Sequence, residues 1–90
     1  MNYCMNICVI EDEPDYLESL KDLFELEGAR FHGFNHANAF KSQLNSIDMD
    51  ILIVDRNLPG QDGLSLLSEL RKNTTALPII VLSGRGASED

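Results

Sequence analysis

Glu11 and Asp12 directly follow the apolar run Ile7-Cys8-Val9-Ile10, Asp55 follows Ile51-Leu52-Ile53-Val54, and Ser83 follows Ile79-Ile80-Val81-Leu82. If those runs lie side by side, their polar ends meet. Convergent carboxylates repel each other, and each costs desolvation energy unless a cation compensates. The cation that suits them is hard and oxygen-loving. Mg²⁺ takes one or two carboxylates at about 2.0–2.1 Å, keeps several waters and coordinates phosphate oxygens readily. A carboxylate beside such an ion can attack phosphorus and form an aspartyl-phosphate, with the metal neutralising charge on the transferring group. The Ser83 hydroxyl and the Gly84 amide could then donate hydrogen bonds to the phosphoryl oxygens. Taken singly, each residue has a plainer reading, because Asp is a good turn and cap residue and Asp12 or Glu13 can cap a following helix. Their recurrence at successive run ends, with the turn sequence Leu58-Pro59-Gly60 after Asp55, favours one shared site.

The elements that must position these residues are legible from periodicity. Residues 7–10 read as a strand. Pro14 suits a first helical turn, and Tyr16, Leu17, Leu20, Leu23, Phe24 and Leu26 recur at near-helical spacing before Gly28 supplies a stop. Residues 31–34 make a weaker strand of mixed polarity, as an edge strand is. Residues 38–44 form a short helix with Ala39, Phe40 and Leu44 on one side. Residues 51–54 are a second apolar strand. Leu64, Leu66, Leu67 and Leu70 mark a helix ending near Lys72, and residues 77–82 are a third apolar strand followed by a Ser83-Gly84-Arg85-Gly86 loop. Strands alternating with helices predict βα units and a parallel sheet. Continuous hydrophobicity in three strands predicts helices on both faces, hence an open, three-layer, doubly wound α/β sandwich. In such sheets ligands bind outside the carboxyl ends of the strands, where strand order reverses.

Composition narrows the functions. A chain of 90 residues with 43% hydrophobic content supports one domain, here 1–90. With 15 acidic residues against 7 basic ones, direct nucleic-acid binding is not expected. No apolar run approaches the roughly 20 residues of a membrane span, and the first ten residues lack a basic region of a signal peptide, so a cytoplasmic location is expected. Cys4 and Cys8 fit no metal spacing, Cys8 reads as a small core hydrophobe, and His32 and His36 read as surface residues.

The residues Val9-Ile10-Glu11-Asp12-Glu13-Pro14, Asp55-Arg56-Asn57-Leu58-Pro59-Gly60-Gln61-Asp62-Gly63 and Pro78-Ile79-Ile80-Val81-Leu82-Ser83-Gly84 together resemble the receiver (CheY-like) domain of two-component response regulators. The resemblance implies the strand order 2-1-3-4-(5). It implies that Asp55 is the phospho-acceptor, supplied by a sensor histidine kinase or phosphotransfer protein. It also implies that Mg²⁺ is held by Asp12, by Glu11 (often through water), by Asp55 and by the backbone carbonyl of Asn57. Asn57 faces the site and tunes dephosphorylation, Ser83 hydrogen-bonds the phosphoryl group and relays the change to an output surface, and Pro59 and Gly63 shape the turn and start the next helix. Receiver domains most often control transcription through a separate DNA-binding domain.

The family's domain goes on to a fifth strand bearing an aromatic switch residue and a lysine that pairs with the phosphoryl group. Neither occurs in this sequence, which therefore reads as a piece of a longer regulator or a deliberately shortened one. Its fourth strand is then expected to be an apolar free edge open to homodimerisation or segment swapping. Competing functions fare worse. A phosphohydrolase with an aspartyl intermediate wants a second carboxylate two residues after the nucleophile, where Asn57 stands. A flavodoxin-like nucleotide site is opposed by Glu11-Asp12-Glu13, which repels phosphate. A pseudo-receiver that only binds a partner would not need Glu11, Asp12, Asp55 and Ser83 together.

Overall fold

A computed structural model describes residues 4–55, 63–72 and 76–82. The elements are β1 (Asn6–Ile10), α1 (Pro14–Leu26), β2 (Arg30–Phe34), α2 (Ala37–Gln43), β3 (Ile51–Asp55), α3 (Gly63–Arg71) and β4 (Ile79–Leu82). Every strand pairs in parallel, in the order β2-β1-β3-β4, which is the doubly wound α/β order expected. β1 therefore lies between β2 and β3, with Ile7 opposite both Phe31 and Ile51.

Side-chain alternation divides the apolar residues between two faces. On one face Cys8, Ile10, Leu52 and Val54 meet Ala37 and Phe40 of α2 and Leu66 and Leu70 of α3. On the other Ile7, Val9 and Ile53 meet Leu17, Leu20 and Phe24 of α1, with Phe31 and Leu82 beside them. Cys8 packs as the small hydrophobe expected. Its thiol is fully buried, and desolvation pushes its pKa up to about 11.

Four expectations need correcting. Tyr16, Leu23 and Leu26 share the helical spacing of the α1 core residues but lie outward, Leu26 being 82% exposed. One helix can seat only one stripe on a sheet, so the rest of the apolar set faces solvent. Among the described residues β4 is not covered on both faces, since Ile80 remains 46% exposed. α2 starts one residue earlier than periodicity suggested. His36 is extended there (φ −161°), and its Nδ1 accepts a 3.3 Å hydrogen bond from the Ala39 amide. His32 is half-buried rather than on the surface, and its Nε2 lies 3.2 Å from Asn6 Oδ1.

The ends of α1 decide how the chain approaches the carboxyl edge. Glu13 is the N-cap, accepting from the Asp15 amide, and Pro14 fills the first helical position, where no amide donor is needed. At the other end Gly28 takes φ 91°, the left-handed region that glycine enters without a Cβ clash. The Gly28 amide donates to Glu25 O (3.0 Å) and the Ala29 amide to Phe24 O (3.0 Å), closing the helix and turning the chain into β2.

Candidate functional site

Glu11 and Asp55 mark the carboxyl ends of adjacent central strands. The Glu11 amide continues the ladder by donating to Phe34 O at 2.9 Å, and Asp55 is the last residue of β3, in register with Leu82. Parallel pairing makes these ends coincide, so residues 44 positions apart become neighbours. Glu11, Asp12 and Asp55 each offer a carboxylate oxygen within 4.8 Å of the other two.

These carboxylates are not loop residues facing water. Glu11 is 3% exposed and Asp55 5%. Two unit charges 4.8 Å apart repel by about 3.5 kcal/mol at an effective dielectric constant of ~20. Part of the arrangement is held by backbone donors: the Glu13 amide gives Glu11 Oε2 a 3.0 Å hydrogen bond. Asp12 is half-buried, and its buried Oδ1 has no hydrogen-bond partner among the described residues. A buried, unsatisfied carboxylate oxygen costs about 1–3 kcal/mol or more.

The donor set fits a hard divalent cation. Octahedral Mg²⁺ with bonds of about 2.1 Å sets its ligands about 3 Å apart when adjacent and about 4.2 Å when opposite, close to the span of these three oxygens. An ion among them would satisfy Asp12 Oδ1 and reverse the repulsion. Of the other site residues read from the sequence, Asn57, Ser83 and Gly84 lie outside the described residues, as does Pro59. Gly63 begins α3 as expected.

Reading the sequence missed two features beside this cluster. One is the Glu13 amide, whose role depends on the turn between β1 and α1 rather than on a side chain. The other is a groove of about 430 Å³ that runs from Asp12 along α1 to Phe31 and Gly33 of β2. Its walls come from separate segments, and no local pattern announces it.

Comparison with known proteins agrees with the fold and the acidic edge. The family model for the response regulator receiver domain matches residues 7–90. The chain belongs to that family, the phospho-accepting switches of two-component systems. Among curated relatives, the transcriptional regulatory protein PhoP of Escherichia coli is 36% identical over 96% of this chain and 39% of its own length. The DNA-binding transcriptional regulator NtrC of Proteus hauseri is 33% identical over 87% of this chain and 16% of its own. The chain thus spans well under half the length of these relatives. Among solved structures, full-length FixJ from B. japonicum superposes with a TM-score of 0.85 at 27% identity, covering 98% of this chain and 43% of that one. The response regulator TrrA from Thermotoga maritima, in complex with Mg²⁺-BeF, superposes with a TM-score of 0.83 at 29% identity, covering 96% and 76%. Among the described residues, no helix is long and apolar enough to cross a membrane.

Proposed function

We propose that residues 1–90 act as one receiver unit in which Asp55 accepts a phosphoryl group in a Mg²⁺-dependent reaction. The observation that carries this reading is the meeting of Glu11, Asp12 and Asp55 at one sheet edge with Asp12 Oδ1 buried and unpartnered. Glu11, Asp12 and Asp55, with the backbone carbonyl of Asn57, would hold the metal. When bound, Mg²⁺ supplies charge neutralisation at the transferring phosphoryl group.

The chain's own part is positioning. β3 holds Asp55 rigidly, and the Glu13 amide fixes Glu11. An Asp55 carboxylate oxygen attacks the phosphorus of a phosphohistidine in line. The new O–P bond forms as the P–N bond breaks, and the departing imidazole keeps the electron pair and is reprotonated. Asn57, Ser83 and the Gly84 amide bind the phosphoryl oxygens, and Ser83 relays the added charge to an output surface. The donor is a sensor histidine kinase or a phosphotransfer protein, and the setting is the cytoplasm. The apolar β4, at the sheet margin among the described residues with Ile80 exposed, supports a homodimer or a segment swap through that strand.

The test is intact mass after incubation with acetyl phosphate, with and without Mg²⁺, on this chain and on Asp55→Asn. The expected result is a Mg²⁺-dependent gain of one phosphoryl group that the variant lacks. A gain that persists in the variant would reject Asp55 as acceptor. No gain in a folded, Mg²⁺-binding chain would reject phospho-acceptance by residues 1–90.

A further inference from the structure

We propose that the outer edge of β2, with the groove beside it, binds an extended, positively charged peptide segment of a partner protein by strand addition. The phosphoryl chemistry is not needed for this, and of the acidic cluster only Asp12 borders the groove.

The ladder shows which backbone groups are available. The Arg30 amide donates to Met5 O at 2.8 Å, and Phe34 O accepts from the Glu11 amide at 2.9 Å. In a parallel pair, residues turned toward the same neighbour alternate. Arg30, His32 and Phe34 therefore face β1, while Phe31 and Gly33 turn their N–H and C=O groups outward. β2 ends the sheet among the described residues, so a second extended chain can pair with those groups. Gly33 brings no side chain to shield its own amide and carbonyl.

The groove then selects what pairs. It lies on the α1 side of that edge, its apolar part made by Leu17 and Phe31 and its charged part by Asp12, Glu18 and Lys21. Lys21 is already engaged by Glu25 at 3.1 Å, leaving Asp12 and Glu18 to set the sign. Arg30 does not offset them, because alternation sends its side chain to the opposite face. Farther along α1, the exposed Asp15 and Asp22 extend the acidic surface. In an added strand, residues two apart project to the same side about 7 Å from each other. One such residue, apolar, covers Leu17 and Phe31, and the next, Arg or Lys, reaches Glu18 and Asp12. A segment alternating in this way is complementary in backbone, shape and charge.

The experiment is an NMR titration of the ¹⁵N-labelled chain with Ac-Thr-Val-Thr-Arg-Thr-Val-NH2, in which Val and Arg two apart project to one side. Saturable shifts centred on the Phe31 and Gly33 amides are expected, with a dissociation constant on the order of 100 μM for so short a ladder. Glu18→Lys, on an exposed helix position that leaves the fold intact, should weaken binding about three- to tenfold at low salt. The same peptide N-methylated at alternate amides should not bind. The proposal is overturned if no shifts appear, if they centre on β4, or if Glu18→Lys or N-methylation leaves the affinity unchanged.

Discussion

The sheet has two polar ends, and they treat carboxylates in opposite ways. At the amino ends of β1 and β3, Asp50 accepts a 2.7 Å hydrogen bond from the Asn6 amide, and the Asp50 amide donates back to Asn6 O at 2.9 Å. Asn6 Oδ1 in turn meets His32 Nε2 at 3.2 Å. Amides face the carboxylate there, and it is satisfied. At the carboxyl ends, three carboxylates face one another, two of them almost fully buried, and one oxygen of Asp12 has no partner among the described residues. An aspartate beside a strand is thus a structural staple where donors surround it and a candidate metal ligand where other carboxylates do. Burial alone does not distinguish the two cases; the identity of the neighbours does.

Neutralising substitutions at the two ends should break this comparison if it is wrong. The largest effect expected is on metal affinity: Asp12→Asn should lower Mg²⁺ affinity about a hundredfold in calorimetric titration, and Asp50→Asn should leave it unchanged. Stability should move with opposite signs. Asp50→Ala orphans the Asn6 amide and should cost about 2 kcal/mol in urea unfolding. Asp12→Asn, measured in chelator, should stabilise the fold by about 1 kcal/mol, because it removes a like charge from the cluster. A destabilised Asp12→Asn in metal-free buffer would mean that the carboxyl edge is structural after all. His32→Ala, at the satisfied end, should cost about 1 kcal/mol through the lost Asn6 partner.

The smallest effect concerns Cys8, a core group between the two ends. Its folded-state pKa is raised from the ordinary 9.0 to about 11 by burial. Above pH 9 the unfolded chain loses the thiol proton before the folded one does. Unfolding then releases a proton, so stability falls as pH rises from 9 toward 11 and is untouched below that window. Urea midpoints at pH 8 and pH 10, compared with Cys8→Ala, should reveal a pH-dependent loss that the variant lacks. At pH 8, alkylation should label the exposed Cys4 and spare Cys8.

Much of this was legible before any coordinates. β1 and β3 are near-continuous apolar runs that end in carboxylates, so strand identity and site position come from the same local pattern. The start of α1 was readable because Pro14 and its acidic neighbours are punctuation with a mechanism. What stayed hidden depends on distance along the chain. Asp50 looks like any loop aspartate until β1 and β3 pair and bring the Asn6 amide to it. Periodicity placed Leu23 and Leu26 on α1 but could not say which stripe the sheet would take. His36 went unread because histidine is an uncommon cap, recognised here by its extended backbone and the Ala39 amide. That residues 31–34 form an edge strand was legible in their mixed polarity, but which of their amides turn outward follows from the pairing register, which no single segment carries.

Of the described strands, β1 lies in the interior of the sheet and precedes the other three in the chain. β1 cannot complete its pairing with β3 until a stretch 44 residues later, marked by Asn6 and Asp50, has been made. At roughly 5–20 residues per second, that is a wait of about 2–9 s during nascent-chain growth. Through that interval Ile7 and Val9 can meet the α1 and β2 sequences, and Ile10 the α2 sequence, all made before β3. The first βαβ unit, with α2 after it, is thus what the growing chain can use to shield β1.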